Sequence, residues 1–320
     1  MSAHFRDVVV SVSLTALTIR TSMDCENGSH GQMSFYPSVL THEMGGCEHS
    51  DPERNQKMLL RNKVAVIYGA GGAIGSAVAR AFAGEGAKVF LSGRKQAPLE
   101  AVAKEIRSAG GSAEVAEVDA LEEKAVDKHL QSVIDKAGRV DISFNAIGIP
   151  PERILGVPLI EMDVEQFALA IASYTRSYFL TARLAARRMV QNKSGVIMTI
   201  TALPSRKGTP LNGGYGSAQA AKEALTRDLS AELAPQGIRV VALRPHGMPE
   251  TSTIREVYEM KAKTTGITWE QFQGYLASTT HPQRVMALEE VANMAVFIAS
   301  DKASGMTGTT VNMTMGSLDD

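Results

Sequence analysis

The sequence predicts an α/β fold in which a doubly wound, mainly parallel sheet of seven strands lies between two layers of helices. From Lys63 onward, short apolar runs alternate with longer stretches whose apolar residues recur at helical spacing. The first apolar run ends in a glycine-rich turn, and a chain of 320 residues with 44% hydrophobic residues can bury a three-layer core. These observations favour a single α/β domain over residues 58–320.

Seven of the apolar runs are short, as buried strands are. They are Val64–Tyr68, Lys88–Leu91, Ala113–Glu117, Ile142–Asn145, Gly195–Ile200, Arg239–Leu243 and Thr310–Met313. Six stretches between them have apolar residues three or four positions apart, which predicts helices. They are Ala73–Ala83, Pro98–Ala109, Glu122–Ala137, Val164–Met189, Ser217–Ala234 and Leu288–Ile298. In such folds, ligands bind at the carboxyl ends of the strands.

The turn after the first strand is typical of dinucleotide binding in Rossmann-type domains. Its early glycines would let backbone N–H groups approach a pyrophosphate, and its last glycine would let the next helix pack close to the strand. The residues that we expect to line the cofactor in this turn are Gly69, Gly71, Gly72, Ala73, Ile74 and Gly75. Glycine turns also occur without ligands, so the strand before and the helix after carry the assignment.

The second strand is followed by basic residues rather than by a carboxylate. An Asp or Glu at this point would bind the ribose 2′-hydroxyl of NAD(H). The chain has Arg94 and Lys95 instead, and an arginine can bind a 2′-phosphate through two hydrogen bonds. The sequence therefore favours NADP(H) over NAD(H), with a solvated basic turn as the alternative explanation.

Residues 246–284 interrupt the alternation of strands and helices. They are predicted to form a helical insert over the carboxyl edge of the sheet, and a cover of this kind commonly completes a substrate pocket. The large apolar and aromatic residues of the insert are Met248, Tyr258, Met260, Trp269, Phe272 and Tyr275. Extra core helices are the alternative explanation of these positions.

Residues 1–57 differ from the rest of the chain, because they are rich in Ser, Gly, Met and His and have no periodicity. We expect a low-order extension there. Its cysteines and histidines are Cys25, His30, His42, Cys47 and His49. Their spacings are not the close pairs of zinc modules, so we expect no metal site.

Composition excludes several other classes of function. The net charge of −1 gives no reason to expect a nucleic-acid partner. No run of eighteen apolar residues occurs, so no membrane span is expected. Two cysteines in the whole chain predict no disulfide framework and favour the cytoplasm.

Over roughly residues 62–318, the chain resembles the short-chain dehydrogenase/reductase family. Gly69–Gly75 is similar to the family's Gly-x3-Gly-x-Gly turn, with Ala73 at the middle glycine, and Phe144–Gly148 resembles its Asn-Asn-Ala-Gly motif. The active-site helix, the step into strand six and the Pro-Gly…Thr segment also have counterparts. The resemblance implies cofactor contacts from Asp119, Asn145, Gly148, Tyr215, Gln219 and Thr251.

The resemblance also implies four catalytic positions, and three of them are changed in this chain. Tyr215 takes the place of the proton-donating tyrosine, but Gln219 stands where the family has a lysine four residues later. Ala202 replaces the serine that stabilises the alkoxide, and Tyr174 replaces an asparagine. Without the lysine's charge, we expect Tyr215 to titrate near an ordinary phenol and to be a slow general acid.

Two basic residues offer alternatives for the missing charge. Lys222 lies seven residues after Tyr215, which is similar to the Tyr-x6-Lys spacing of enoyl-acyl-carrier reductases. Counting back from Gly237 nevertheless puts Gln219 at the level of the family lysine, so we expect Lys222 to face solvent. His246 stands in place of the family's proline, and we expect it on the surface, although an imidazole titrates near neutral pH.

The expected function is an NADP(H)-dependent hydride transfer to a small apolar carbonyl or activated enoyl substrate. The alternative from another class is an NADP(H)-binding protein without redox turnover, either a sensor or an inactive subunit. A third alternative is a different acid–base chemistry that uses Tyr215 and His246. The resemblance implies a homodimer or homotetramer formed through the alanine-rich helices predicted at Val164–Met189 and Ser217–Ala234.

Overall fold

A computed structural model describes residues 58–319 of the chain. Within that range seven strands form one parallel sheet in the order β3-β2-β1-β4-β5-β6-β7. The strands are β1 (Val64–Tyr68), β2 (Lys88–Gly93), β3 (Ser112–Glu117), β4 (Ile142–Asn145), β5 (Gly195–Ile200), β6 (Ile238–Pro245) and β7 (Thr309–Met313). The predicted doubly wound, three-layer α/β fold is confirmed. The extension predicted at residues 1–57, with its cysteines and histidines, lies outside the described residues.

Helices cover both faces of the sheet. They are α1 (Ala73–Gly84), α2 (Gln96–Ser108), α3 (Glu123–Ala137), α4 (Val164–Met189), α5 (Tyr215–Leu233), α6 (Ser252–Thr265), α7 (Trp269–Ser278) and α8 (Leu288–Ala299). The apolar sides of α1, α2 and α8 pack on one face of the sheet, and those of α3, α4 and α5 pack on the other. The central strands are therefore buried on both faces, which explains their continuous apolar sequences.

The bounds of β1, β4, β5 and α4 agree with the sequence pattern, whereas β2 and β6 run further than predicted. Both extensions contain polar residues that are buried in the sheet. Ser92 is fully buried and donates to the carbonyl of Ile67, and Arg244 is almost fully buried near the end of β6. Because hydrogen bonds satisfy these side chains, the strands continue where the apolar pattern ends.

The strand order reverses between β1 and β4, and this reversal opens a crevice at the carboxyl edge. The turn after β1, the segment after β4 and the loop after β5 all leave the sheet at this edge. Helices α6 and α7 occupy the predicted insert. Their aromatic side chains Tyr258, Trp269 and Phe272 contact one another, with ring centroids 5.0 to 6.0 Å apart.

Candidate active site

The glycine turn after β1 is built on close backbone contacts. Gly69 has a φ of +78°, and a Cβ added there would lie 2.6 Å from the carbonyl oxygen of Ala146. A Cβ added at Gly75 would lie 2.3 Å from the carbonyl oxygen of Gly69. Larger residues at either position would push α1 away from the sheet. The turn therefore holds the first turn of α1 directly over the end of β1.

The N-terminus of α1 is open to an anion. Gly72 is the N-cap, no side chain caps the helix, and its first turn contains no acidic residue. Gly71 and Gly72 are exposed, and Ala73 and Ile74 begin the helix beside them. Backbone N–H groups and the helix dipole at such an end favour a phosphate. This local chemistry fits the pyrophosphate of a dinucleotide.

Two further predicted cofactor residues follow neighbouring strands at the same edge. Arg94 comes directly after β2 and is exposed, as is Lys95. Asp119 follows β3, and its Oδ1 accepts a hydrogen bond of 3.0 Å from the N–H of Leu121. This bond fixes the aspartate side chain within its own turn. The structure therefore has an exposed cation and an anchored carboxylate after neighbouring strands at this edge of the sheet.

Two of the three remaining predicted cofactor residues have visible roles in the protein scaffold. Asn145 is buried, and its Nδ2 donates to Oγ1 of Thr181 over 3.1 Å. Thr251 is also buried; its hydroxyl donates to the carbonyl of Met248 and caps α6 by accepting from the N–H of Ile254 in the first turn of that helix. Gly148 is exposed, and nothing lies within 4 Å of a Cβ added there. Packing alone does not require a glycine at that position.

Tyr215 and Tyr174 meet at the centre of the site. Tyr215 is the first residue of α5, and its ring lies 5.6 Å from that of Tyr174 on α4 in an edge-to-face arrangement. The hydroxyl of Tyr174 accepts a 3.2 Å hydrogen bond from the N–H of Ile149. Among the described residues, no hydrogen bond engages the hydroxyl of Tyr215. That hydroxyl is available to a bound substrate.

The expectation that Tyr215 titrates near an ordinary phenol is wrong. Burial raises its pKa well above the usual value, and the neighbouring Tyr174 raises the pKa further. Because the neutral form is the favoured one, Tyr215 carries its proton at physiological pH. It is present as an acid, although a weak one.

Gln219 and Ala202 occupy the positions of the expected lysine and serine. Gln219 is buried on the same side of α5 as Tyr215, and its Oε1 has no hydrogen-bond partner among the described residues. An unpartnered buried oxygen fits a hydroxyl donor such as that of a cofactor ribose. Ala202 lies two residues after β5 and is partly buried, and its methyl group offers no hydrogen bond to an oxyanion.

Comparison with known proteins identifies the family of this chain. The family model described as enoyl-(acyl carrier protein) reductase matches residues 69–317. The chain belongs to the short-chain dehydrogenase/reductase family. The uncharacterized oxidoreductase YxbG of Bacillus subtilis is 33% identical over 249 residues, which are 78% of this chain and 88% of that protein.

Two further similarities extend over most of this family member. The 3-oxoacyl-[acyl-carrier-protein] reductase FabG of Thermotoga maritima is 27% identical over 81% of this chain and 99% of its own length. The crystal structure of NAD⁺-bound xylitol dehydrogenase superposes with a TM-score of 0.75 at 26% identity. That superposition covers 80% of this chain and 99% of the dehydrogenase. The similarity thus includes nearly all of the described residues.

The expectation that Lys222 faces solvent is wrong for this short-chain dehydrogenase/reductase. Only 1% of Lys222 is exposed, and its Nζ donates a hydrogen bond to the carbonyl oxygen of Ile200 at the end of β5. The Nζ also lies 5.6 Å from the ring centre of Tyr174 and 5.9 Å from that of Tyr178. Burial lowers the pKa of Lys222 to about 7. The expectation of a surface position came from the residue type, whereas Lys222 lies on the buried side of α5.

His246 is likewise buried rather than on the surface. It follows Pro245 at the end of β6, and its Nε2 lies 3.0 Å from the hydroxyl oxygen of Thr279. Burial lowers its pKa, and the positive charge of Lys207 lowers it further, while the carbonyl of Gly247 opposes both. The imidazole therefore joins the insert to the sheet as a neutral hydrogen-bonding group.

A buried ion pair next to the site escaped the sequence analysis. Arg244 binds both carboxylate oxygens of Glu223, with N–O distances of 2.9 and 2.7 Å. Glu223 also accepts hydrogen bonds from the hydroxyls of Thr201 and Ser205. This network fixes the loop that carries Ala202. An arginine among the apolar residues of β6 was the signal that could have revealed it.

Between residues 58 and 319, no group of three or more His, Cys, Asp or Glu side chains could hold a metal ion. No helix in that range is both long enough and apolar enough to cross a bilayer.

Proposed function

We propose that this family member is an NADP(H)-dependent oxidoreductase that transfers a hydride to a carbonyl group or to an activated double bond. The observation that carries the proposal is the unengaged hydroxyl of Tyr215. It lies at the same edge of the sheet as a glycine turn whose helix N-terminus is open to phosphate. A proton donor and a dinucleotide cradle at one edge are the two parts that such a reaction needs.

In this proposal, the described residues bind and orient the dinucleotide. The open N-terminus of α1 binds the pyrophosphate, Asp119 binds the adenine, and the buried Oε1 of Gln219 accepts a hydrogen bond from the nicotinamide ribose. Asn145, Gly148 and Thr251 shape the wall of the nicotinamide pocket. The bound nicotinamide supplies the hydride.

Tyr215 donates the proton that balances the hydride. Reduction would leave an electron pair on the substrate oxygen; the phenolic proton of Tyr215 would neutralise that charge, and solvent would then return a proton to the phenolate. Ala202 provides no hydrogen bond to an alkoxide. An enolate needs less stabilisation, so activated alkenes suit this site better than simple ketones. The insert formed by α6 and α7 would cover a small apolar substrate.

The preference for NADP(H) over NAD(H) rests on the exposed Arg94 and on the lack of a carboxylate in the Ser92–Lys95 turn. An arginine after β2 can bind a 2′-phosphate through a pair of charged hydrogen bonds. FabG of Thermotoga maritima, by its name, reduces a 3-oxoacyl carrier-protein substrate. An acyl thioester is therefore included among the compounds that we would test.

The experiment is a panel of ketones and enoyl thioesters, each offered with NADPH and with NADH while the absorbance of reduced nicotinamide is followed. We expect turnover with NADPH and an enoyl compound, and we expect Tyr215→Phe to lose at least about a hundredfold in kcat because it lacks the donor. Tight NADPH binding without any turnover would instead favour a cofactor-binding sensor or subunit. If Tyr215→Phe matched the wild type, Tyr215 would not be the acid.

We also propose a homodimer or homotetramer in the cytoplasm. Phe179 on α4 is 40% exposed, and Arg183 lies over its ring at 5.1 Å, so α4 presents a large aromatic group on its outer side. A face of this kind suits packing against a second copy. Light scattering of the full chain at micromolar concentration tests this, and a monomer would contradict it.

A further inference from the structure

The amine of Lys222 lies behind the proton donor, in contact with the residue that supports it. Its Nζ donates to the carbonyl oxygen of Ile200 and lies near the rings of Tyr174 and Tyr178. Only 1% of the side chain is exposed. Its amine is bound by the Ile200 carbonyl, whereas Gln219 stands at the position of the lysine that would contact a cofactor ribose and has an Oε1 that is unpartnered among the described residues.

Tyr174 connects this amine to Tyr215. One side of Tyr174 faces Nζ at 5.6 Å, and its ring meets that of Tyr215 at 5.6 Å with an interplanar angle of 70°. Its hydroxyl accepts the Ile149 N–H, so its own proton remains available to a neighbouring oxygen. A cation near the face of a tyrosine ring attracts it and fixes its orientation.

We propose that Lys222 is a positioning residue, which holds Tyr174 against Tyr215 and, through that contact, fixes the orientation in which Tyr215 presents its hydroxyl to the substrate. The inference rests on the proposed function, because it assigns a role in the same proton transfer. The lysine acts through Tyr174 and does not touch cofactor or substrate.

The charged groups around Lys222 are compatible with this role. On its own helix, the charge of Glu223 favours the ammonium form, but that carboxylate is already bound by Arg244 from β6. From α4, the titratable neighbours are the two tyrosines, and Tyr178 is engaged with Thr226 over 3.0 Å. The described residues place no carboxylate within ion-pair distance of Nζ. Within the described residues, no carboxylate therefore competes with the tyrosine rings for this amine.

Burying an amine is unfavourable, so a role in stability alone predicts a different outcome from a role in catalysis. Because the folded protein holds the pKa of Lys222 at about 7, below the ordinary 10.5, the unfolded chain binds the proton more readily between these values. Stability therefore rises with pH across that window in the wild type. Lys222→Met should flatten this rise and leave the protein at least as stable at pH 7.

The test compares Lys222→Met, Tyr174→Phe and the double variant with wild type, using Lys128→Met on the exposed side of α3 as the matched control. Three quantities are measured: the dissociation constant of NADPH, kcat as a function of pH, and urea unfolding as a function of pH. We expect each single variant to lose at least about tenfold in kcat, because the Tyr215 hydroxyl is then less well oriented for proton transfer. NADPH affinity should stay within about twofold, and the double variant should lose no more than the worse single variant.

The wild-type rate should also fall as the pH rises through about 7, and Lys222→Met should lack this dependence. A kcat of Lys222→Met equal to that of the wild type would overturn this inference and leave the proposed function standing. If Lys222→Met fails to fold, the same result in Tyr174→Phe would do so. Parallel losses of kcat and NADPH affinity would mean that the lysine supports the cofactor and would overturn it too. NADPH binding without turnover in the wild type would overturn the proposed function and this inference together.

Discussion

His129 makes the stability of this protein depend on pH at the scale of a single residue. It lies on the buried side of α3 with its ring 6.2 Å from that of Tyr68, and its Nε2 has no partner among the described residues. Burial, with a smaller contribution from the charge of Lys136, lowers its pKa to about 4. The unfolded chain therefore binds a proton more readily than the native protein between about pH 4 and 6.5.

We expect the wild type to lose up to about 3 kcal/mol of unfolding free energy between pH 6.5 and 4 through this residue, at about 1.4 kcal/mol for each pKa unit. Urea unfolding at several pH values measures the loss. Carboxylates titrate in the same range, so the decisive quantity is the difference between wild type and His129→Leu. Equal slopes in the two proteins would show that His129 is not the responsible group.

In the proposed function, Ala202 limits the substrates to those whose oxygen needs little stabilisation. A serine there would donate a hydrogen bond to an alkoxide, which a ketone forms and an enoyl compound does not. We therefore expect Ala202→Ser to raise kcat/KM for ketones relative to enoyl thioesters by at least about tenfold, which is about 1.4 kcal/mol. Ala231→Ser, at an exposed position late in α5, is the control. An unchanged ratio of the two kcat/KM values would show that residue 202 does not contact the substrate oxygen.

Lys222 and His246 show which property of a residue the sequence could not predict, namely its burial. Spacing along α5 places Tyr215, Gln219 and Lys222 on one side of the helix, which agrees with the structure. Spacing does not determine how deeply that side is buried, and lysine is rarely buried in proteins. We expected Lys222 and His246 at the surface because of their residue types. In the structure both side chains are buried, because Lys222 donates to the carbonyl of Ile200 and His246 lies against the hydroxyl of Thr279.

At the scale of elements, the turn between β1 and α1 is the part that the sequence predicted most fully. Its glycines are required by close contacts that the spacing itself implies, and the apolar residues of β1 allow only a buried strand. The ends of β2 and β6 could not be predicted in the same way. Their last residues are polar, and only the folded partners show that these side chains are satisfied inside the sheet.

A pair of glycine substitutions in α1 tests the role of the turn. Gly75→Ala puts a Cβ 2.3 Å from the carbonyl of Gly69, whereas Gly84→Ala at the end of the same helix meets nothing within 4 Å. We expect Gly75→Ala to weaken NADPH binding by at least about tenfold, because α1 must move from the phosphates. Gly84→Ala should bind normally and be stabilised by up to about 1 kcal/mol. Calorimetric titration measures the NADPH affinity of the two variants, and thermal unfolding measures their stability. Equal NADPH affinity in both variants would show that the turn does not contribute to cofactor binding.

At the scale of the whole molecule, the sheet brings residues that are far apart in sequence to one edge. The carboxyl ends of β1, β2, β3, β4 and β5, with the loops that follow them, carry in order the glycine turn, Arg94, Asp119, Asn145 and Ala202. Strand order and parallel direction are enough to predict this assembly, which is why most candidate positions followed from sequence. The Glu223–Arg244 pair did not, since it joins a helix to a strand through side chains that no spacing connects.

Several residues along this edge of the sheet would contact the cofactor in the proposed function. Arg94 is the one that we expect to distinguish NADPH from NADH. We expect Arg94→Ser to weaken NADPH by about tenfold to a hundredfold, the contribution of a charged hydrogen bond, and to leave NADH affinity unchanged. Arg227→Ser, at an exposed position on α5, serves as the control for a lost surface charge. Fluorescence titration with both nucleotides gives the ratio. If both affinities fell equally, the arginine would not read the 2′-phosphate.

The most direct test is a crystal structure of the full chain with NADPH and a non-reacting enoyl or ketone analogue. The distances to measure run from nicotinamide C4 to the electrophilic carbon, and from the Tyr215 hydroxyl to the atom that receives the proton. The account predicts about 3–3.5 Å for the first and about 2.7 Å for the second when that atom is oxygen. A nucleotide bound away from the Gly69–Gly75 turn, or a nicotinamide ring remote from Tyr215, would contradict it.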